Sequence, residues 1–218
     1  MENTEKCNNV LITRELFEAT LQEHSEDIAE IRESAYELHK SVNQFYGNLL
    51  PYGHHLDMVV NEIRRFGHLV TTDSNDVLPM IFSGYYHDSI EDARQTYNDV
   101  MKTARRWLTE EQALTATEIV YALTNDKGRN RAERAGEKYY EGIRQTPYAP
   151  FVKLCDRLAN VAYSCISDDP LNMRMKQVYI KEMPHFLNCI APQCDDPRRQ
   201  VPEEAVRQLD VYLRNSTV

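Results

Sequence analysis

Apolar residues recur every three or four positions through most of this chain, the spacing that places them on one face of an α-helix. Between residues 13 and 46 these positions are Leu16, Phe17, Leu21, Ile28, Ile31, Ala35 and Leu38. Only seven of the 218 residues are glycine, and runs that alternate apolar with polar residues, as strands do, are few. The pattern therefore predicts an all-α fold, built as a single-domain helical bundle.

Glycine and proline divide this helical pattern into segments. Gly47, Pro51 and Gly53 interrupt it after residue 46, and a polar loop is predicted over residues 71–76. The apolar run VLPMIF continues into YYHDSIED, which predicts one mostly buried helix from residue 77 to residue 92. Residues 125–150 are the least regular part of the chain, and their polar, basic first half predicts a surface loop.

The charge and the cysteines exclude several classes of function. A net charge of −9 makes binding to nucleic-acid polymers or to membrane surfaces unfavourable, because the mean field repels phosphate. No apolar run approaches the ~20 residues that a membrane span needs. The five cysteines form no CxxC pair, and no signal-like apolar stretch follows Met1. We therefore expect reduced thiols and a cytoplasmic location, with neither nucleic acid nor membrane as a partner.

The stretch HDSIED, residues 87–92, concentrates groups that bind metals or move protons. His87 and Asp88 are adjacent, and Glu91 and Asp92 follow one helical turn later. Imidazole nitrogen and carboxylate oxygen together suit a divalent metal of intermediate softness. A free carboxylate beside them can take a proton from water. A solvated charged surface is the alternative interpretation, and the stretch alone does not decide between the two.

Two other stretches can supply the remaining ligands of a metal site. His54 and His55 stand at a predicted helix start, and Asp156 stands among apolar neighbours, where a carboxylate is costly unless it is paired or binds a metal. Each has an ordinary explanation: a helix cap for the histidines, and an ion pair with Lys153 or Arg157 for the aspartate. The combination of His, His-Asp and Asp on separate helices favours the metal site.

The order of these motifs resembles that of the HD-domain metal-dependent phosphohydrolases. Within that superfamily it is similar to the hydrolase domain of the RelA/SpoT family and to the small alarmone hydrolases. The matching stretches are PYGHH (51–55), HDSIED (87–92), ALTNDK (122–127) and KLCDRLAN (153–160). The HDxxED form is more specific than HD alone. The resemblance covers about residues 35–190 and implies an HD-type phosphohydrolase domain with C-terminal helices over residues 35–218, preceded by an acidic helical extension over residues 1–34.

The resemblance also implies a role for each matching residue. The implied metal ligands are His55, His87, Asp88 and Asp156, with His55 selected over its neighbour by the PYxxH pattern. The residues that would orient and deprotonate the attacking water are Glu91 and Asp92. The implied substrate contacts are Lys127, Lys153, Arg157 and Asn160. The implied cofactor is a divalent metal, manganese. The implied reaction cleaves the 3′-diphosphate of guanosine 3′,5′-bis(diphosphate), giving GDP and pyrophosphate.

Two departures from the family pattern leave the nucleotide open. The family carries a basic residue that packs on guanine shortly before PYxxH, where this chain has Gln44 or Phe45, and Ala162 and Tyr163 follow Asn160 where a basic residue and a threonine are common. The main alternative is therefore an HD-type phosphatase or nucleotidase that acts on another phosphorylated nucleotide. A helical binding protein that keeps the motifs without the activity is the second alternative. The sequence leaves open the metal, among manganese, iron, cobalt and zinc, and a homo-oligomeric state.

Overall fold

Helices make up most of the residues that the structure describes, so the predicted all-α class is confirmed. The computed structural model describes residues 10–47, 49–125 and 135–214. Within them the α-helices, numbered α1 to α11 in chain order, are Arg14–Glu23, Ser25–Ser41, Gly53–Phe66, Val77–Tyr86, Ser89–Asp92, Tyr97–Ala104, Glu110–Leu123, Glu137–Gln145, Ala149–Ser164, Pro170–Ile190 and Glu203–Arg214. Short 3-10 helices cover Gly67–Leu69, Ser74–Asp76 and Pro197–Arg199. No helix among the described residues is both long and apolar enough to cross a bilayer.

A two-stranded hairpin connects α2 to α3. Strand β1, Phe45–Tyr46, runs antiparallel to strand β2, Leu50–Pro51, with Phe45 opposite Pro51 and Tyr46 opposite Leu50. Gly47 follows β1 with a φ of +59°, a left-handed conformation that glycine adopts without a steric penalty. The hairpin brings Gln44 and Tyr46 back towards the start of α3.

Three packed helices form the centre of the molecule and carry the predicted ligands. Helix α3 lies between α4 and α9 and packs against both, while α7 covers the other side of α4 and α11 covers α9. The apolar stripe of α3, including Leu56, Val59 and Ile63, is fully buried. His55 lies near the start of α3, His87 follows the end of α4, and Asp156 lies within α9. Their convergence therefore depends on how closely these three helices pack.

Two predictions of secondary structure differ from the structure. The helix predicted over residues 77–92 ends at Tyr86, and a separate turn of helix begins at Ser89, so His87 and Asp88 lie at the break. Residues 137–145, which were predicted to be irregular, form α8, because Tyr139 and Ile143 lie one turn apart and are both buried. Residue 34, the boundary expected from the resemblance, lies inside the continuous helix α2.

Gly84 on α4 sets the distance between α3 and α4. A Cβ atom at this position would lie 2.5 Å from Cδ1 of Ile63 and 3.0 Å from Cγ2 of Val60, which is closer than van der Waals contact allows. Gly84 lies one turn before His87, and its carbonyl accepts a hydrogen bond from that histidine. A side chain here would therefore push apart the helices that carry His55 and His87.

Gly84→Ala should lower the free energy of unfolding by about 1–3 kcal/mol, the usual cost of overpacking a core. Gly142→Ala on α8 is the matched control, because no atom of the described residues lies within 4 Å of its Cβ position. That control should gain about 0.5–1 kcal/mol, since alanine favours helix over glycine. Urea denaturation measures the free energy of unfolding of both variants. An equal gain in stability in the two variants would contradict the close approach of α3 and α4 at Gly84.

Glu62 on α3 is a buried carboxylate whose protonated form the fold favours. It is 8% exposed, and the hydroxyl of Tyr212 on α11 donates to its Oε1 at 2.6 Å. Burial raises the pKa of Glu62, although the hydrogen bond from Tyr212 acts in the opposite direction. A carboxyl group whose folded pKa exceeds its unfolded value of about 4.3 stabilises the fold below that pH, and this contribution is lost as the pH rises through the folded pKa.

Glu62→Gln should therefore raise the free energy of unfolding at pH 7, by about 1 kcal/mol for each unit by which the pKa is raised. The amide keeps a carbonyl oxygen for Tyr212 but carries no charge to desolvate. Below about pH 4 the difference should shrink, because Glu62 itself is then protonated in both states. Urea denaturation at pH 7 and at pH 4 measures the effect. A variant that is less stable than the natural protein at pH 7 would contradict this interpretation.

Candidate metal centre

Four predicted ligands converge into one cluster: His55 comes from α3, His87 and Asp88 from the break between α4 and α5, and Asp156 from α9. Nε2 of His55 lies 3.3 Å from Nε2 of His87, 3.7 Å from Oδ2 of Asp88 and 3.4 Å from Oδ1 of Asp156. Nε2 of His87 lies 2.9 Å from the Asp88 oxygen and 3.8 Å from the Asp156 oxygen. His54, the residue before His55 in the sequence, is exposed. Both histidines of the cluster are 2% exposed.

The spacing of the ligand atoms of His55, His87 and Asp88 fits a single cation. Ligand atoms bound about 2.1 Å from one ion lie about 3 to 4 Å apart, and the contacts within the cluster fall in that range. The ligand atoms of His55, His87 and Asp88 all lie within 4.8 Å of one another, so these three residues could hold a metal ion. Asp156 is not part of this group of three, although its Oδ1 lies 3.4 Å and 3.8 Å from the two imidazoles. Two imidazole nitrogens with carboxylate oxygens suit manganese, iron, cobalt or zinc.

The hydrogen bonds behind His87 orient it as a ligand. Its Nδ1 donates to the carbonyl of Gly84 at 2.9 Å, which directs Nε2 into the cluster, where it could bind a cation after losing its proton. Nδ1 of His55 is buried and has no hydrogen-bond partner among the described residues. The ring of His55 is instead held by stacking, since the ring of Tyr46 lies parallel to it with centroids 4.7 Å apart.

Asp156 is held from both sides. Nζ of Lys153 lies 2.9 Å from its Oδ2, and Nδ2 of Asn160 donates to its Oδ1 at 2.6 Å. The side chain of Asp156 is only 14% exposed, so the ion pair with Lys153 is not the solvated surface pair that the sequence left open. Arg157 does not pair with Asp156, because it contacts Glu182 on α10 at 3.1 Å. Asp156 thus takes part in a buried ion pair and in the cluster at once.

The electrostatics of the cluster favour ionised carboxylates beside a cation. Burial lowers the pKa of His87, but the Asp88 carboxylate outweighs this and raises it to about 9. Burial raises the pKa of Asp88, and His87 outweighs this effect, so the pKa is lowered overall. For Asp156 the positive charge of Lys153 likewise overcomes burial and lowers the pKa. A metal ion would replace the proton that these carboxylates hold on His87. The affinity for the metal should therefore rise as the pH rises.

Tyr52 orients Asp88. It precedes α3, and its hydroxyl donates a short hydrogen bond to Oδ2 of Asp88 and lies 3.4 Å from Oδ2 of Asp92. Burial raises the pKa of Tyr52, with Asp88 acting in the same direction, so the hydroxyl keeps its proton and remains a donor. Tyr52 was not among the predicted functional residues, and its place in PYGHH is the sequence signal that could have found it.

Tyr52→Phe should weaken manganese binding roughly 10- to 100-fold, the usual effect of removing a partner that orients a metal ligand. The ring stays in place, so the fold should be kept. Isothermal titration of metal-free protein measures the affinity. Tyr97→Phe is a suitable control, because the Tyr97 hydroxyl bonds an exposed glutamate on α7, Glu118, away from the cluster. Unchanged affinity in Tyr52→Phe would contradict the orienting role.

The two predicted water-activating carboxylates line the cavity beside the cluster. Oδ2 of Asp92 accepts a hydrogen bond from Nε2 of Gln44 at 2.6 Å, and Oε2 of Glu91 accepts one from Nδ2 of Asn125 at 2.7 Å. Burial raises the pKa of Asp92, and the nearby Asp88 carboxylate raises it further. A carboxylate made more basic in this way is suited to accept a proton.

The cavity itself has a volume of about 590 Å³. Three members of the cluster, His55, Asp88 and Asp156, form one part of its wall together with the two carboxylates, and aromatic side chains from α8 and α10 form another. The guanidinium of Arg157 lies 5.0 Å from the ring centroid of Tyr179 and 4.3 Å from that of Phe186, so its orientation is fixed by stacking. Three of the predicted substrate contacts, Lys153, Arg157 and Asn160, line the cavity. The fourth predicted contact, Lys127, lies outside the described residues.

Comparisons with protein-family models and with curated proteins found no match for this chain.

Proposed function

We propose that this protein is a metal-dependent phosphohydrolase of the HD-domain type. More specifically, we propose a pyrophosphohydrolase that releases pyrophosphate from the 3′ position of guanosine 3′,5′-bis(diphosphate), with manganese as its cofactor. The observation that carries the proposal is the convergence of His55, His87, Asp88 and Asp156 into one cluster, of which His55, Asp88 and Asp156 line one cavity. A structural role alone does not require two buried histidines to direct nitrogen atoms at each other.

The charge of the cavity also supports a bound cation. Its described wall carries more carboxylates than basic side chains: Asp88, Glu91, Asp92, Asp156 and Glu182 face Lys153 and Arg157. Both basic groups are already paired with carboxylates, at 2.9 Å and 3.1 Å. Such a wall repels a phosphorylated ligand unless a cation offsets its charge. A divalent ion in the cluster would supply that charge and would lower the pKa of coordinated water.

Residues of the chain would carry out the proton transfer and bind the substrate. Asp92, whose pKa is raised by burial, would accept the proton of the attacking water, and Glu91 would help to orient that water. Lys153 and the stacked Arg157 would bind oxygens of the departing diphosphate and stabilise its charge. Asn160 would contact the nucleotide, in keeping with its position on the cavity wall.

One observation favours a different nucleotide. Gln44, which stands near the family's guanine-packing basic residue, is hydrogen-bonded to Asp92 and does not line the cavity. Guanine would therefore lack that contact here. A phosphatase or nucleotidase that uses the same metal centre on another phosphorylated nucleotide is the second candidate.

A panel of nucleotides assayed with manganese separates the two candidates. The panel contains guanosine 3′,5′-bis(diphosphate), its adenosine analogue and common mononucleotides, with pyrophosphate and free phosphate both measured. The first candidate predicts pyrophosphate from the guanosine compound and none after EDTA treatment. Free phosphate from a mononucleotide, with no turnover of either bis-diphosphate, would favour the second. No product from any member of the panel would overturn the proposal of a phosphohydrolase.

A further inference from the structure

Gln44 joins a buried histidine to one of the carboxylates beside the metal centre. Its Oε1 lies 2.5 Å from Nδ1 of His39, and its Nε2 lies 2.6 Å from Oδ2 of Asp92. His39 is on the last turn of α2 and Asp92 ends α5, so the amide spans two separate elements. The sequence around Gln44 does not indicate either of these two contacts.

The backbone fixes where Gln44 stands. Its N–H donates to the carbonyl of His39 at 3.1 Å, so the two residues are joined through both main chain and side chain. Asn43, between them, has a φ of +55°, a left-handed conformation that asparagine tolerates better than most residues. This turn after α2 leaves the Gln44 side chain little freedom to point elsewhere.

Hydrogen-bond chemistry determines the direction of the whole chain of contacts. An ionised carboxylate only accepts hydrogen bonds, so Gln44 must present its NH₂ group to Asp92. The carbonyl oxygen of Gln44 then faces His39, and an oxygen can only accept. His39 must therefore carry a proton on Nδ1. The observed atoms agree with this order, since Oε1 of Gln44 faces the histidine and Nε2 faces the aspartate.

The surroundings of His39 hold its ring in that position. It is 1% exposed and stacks on Tyr52, with ring centroids 4.6 Å apart and an angle of 22° between the planes. Its Nε2 is buried without a partner among the described residues, which disfavours a second proton there. Burial also lowers the pKa of His39, so the neutral ring is favoured.

We propose that Gln44 is a positioning residue: His39 fixes the orientation of its amide, and the amide holds Asp92 by one carboxylate oxygen so that the other is presented to the attacking water. This inference rests on the proposed function, in which Asp92 accepts a proton. Within the described ranges, both side-chain contacts of Asp92, from Gln44 and from Tyr52, are made by Oδ2. Oδ1 is thereby left for the water.

The kinetic test replaces Gln44 with methionine, which has a similar length but no hydrogen-bonding amide. We expect kcat to fall roughly 10- to 100-fold with an unchanged KM, because a misplaced base affects the chemical step and not binding. Manganese content should stay at the natural level. Gln44→Glu keeps an acceptor for His39 but loses the donor for Asp92, so it should not restore kcat. Gln177→Met, an exposed position on α10 that does not line the cavity, is the control and should keep full activity.

A second measurement needs neither metal nor substrate. Nitrogen-15 NMR of metal-free protein labelled at histidine reports which ring nitrogen of His39 carries the proton, with His39→Asn used to assign the signal. We expect the proton on Nδ1 in the natural protein. A proton on Nε2 alone would overturn the proposal, because Gln44 would then have to turn its carbonyl towards Asp92.

The outcomes separate this inference from the proposed function. If the natural protein hydrolyses no nucleotide on the panel, the proposed function fails and the inference fails with it. If the natural protein is active and Gln44→Met or Gln44→Glu retains its kcat, only the inference is overturned. An active natural protein, a lowered kcat in both variants and a proton on Nδ1 of His39 would support it.

Discussion

Replacing Asp88 with asparagine should abolish metal-dependent release of pyrophosphate. The change removes one negative charge from the cluster while keeping the volume of the side chain. Oδ2 of Asp88 lies 2.9 Å from Nε2 of His87 and 3.7 Å from Nε2 of His55. Asp88 is the carboxylate among the three residues that could hold a metal ion, so its replacement would leave the two imidazoles without a charged ligand beside them. Loss of about 4 kcal/mol of transition-state stabilisation corresponds to a fall of about 10³-fold in kcat/KM.

The control for this variant is Asp210→Asn on α11. Asp210 is exposed and pairs with Arg214 at 3.7 Å, so the same chemical change there should leave activity intact. Circular dichroism should show the same helical content in both variants. Full activity in Asp88→Asn, measured as pyrophosphate released in the presence of manganese, would contradict the assignment of Asp88 as a ligand.

Replacing Lys153 with methionine should destabilise the metal-free protein by about 3 kcal/mol, the lower end of the range for breaking a buried ion pair. Nζ of Lys153 lies 2.9 Å from Oδ2 of Asp156, and the two side chains are 17% and 14% exposed. Methionine fills a similar volume but leaves the carboxylates of the cluster without this positive charge. A manganese ion supplies positive charge at the same place, so the loss should be smaller with metal, and metal should bind more tightly to the variant.

Lys40→Met tests whether the effect comes from burial. Lys40 pairs with Glu37 at 2.7 Å, but its side chain is 74% exposed, and solvent screens such a pair. This control should lose less than about 1 kcal/mol, with or without manganese. Urea denaturation in EDTA and in manganese measures both variants. Equal losses in the two, or a loss in Lys153→Met that manganese does not reduce, would contradict the interpretation.

Helical periodicity was sufficient to predict the class of fold, because it records which face of each helix is buried. It did not predict the break after Tyr86, since Ile90 lies one helical turn after Tyr86 and no glycine or proline stands between them. The strands Phe45–Tyr46 and Leu50–Pro51 are too short for alternation to be visible. Helix α8 is nine residues long and follows a polar stretch, which hides its apolar face.

The sequence predicted the residues of the candidate site, but it did not predict the hydrogen-bond partners that orient them. His55, His87, Asp88 and Asp156 were found because each stands in a recognisable local motif. The contacts of Gln44 with Asp92 and of Tyr52 with Asp88 join positions 48 and 36 residues apart. Helical periodicity does not record such pairs, and the PYGHH motif contains Tyr52 without indicating that its hydroxyl bonds Asp88. The partners that orient the ligands therefore required the structure.

Titration of metal-free protein with manganese tests the central claim most directly. The natural protein should bind one ion per chain, and His55→Ala should lose that binding. His54→Ala should retain it, because His54 is adjacent in sequence but exposed outside the cluster. Isothermal titration and elemental analysis of the dialysed proteins both report the stoichiometry. A natural protein that binds no manganese, or a His55→Ala variant that binds it as well as His54→Ala does, would contradict a metal centre at this cluster.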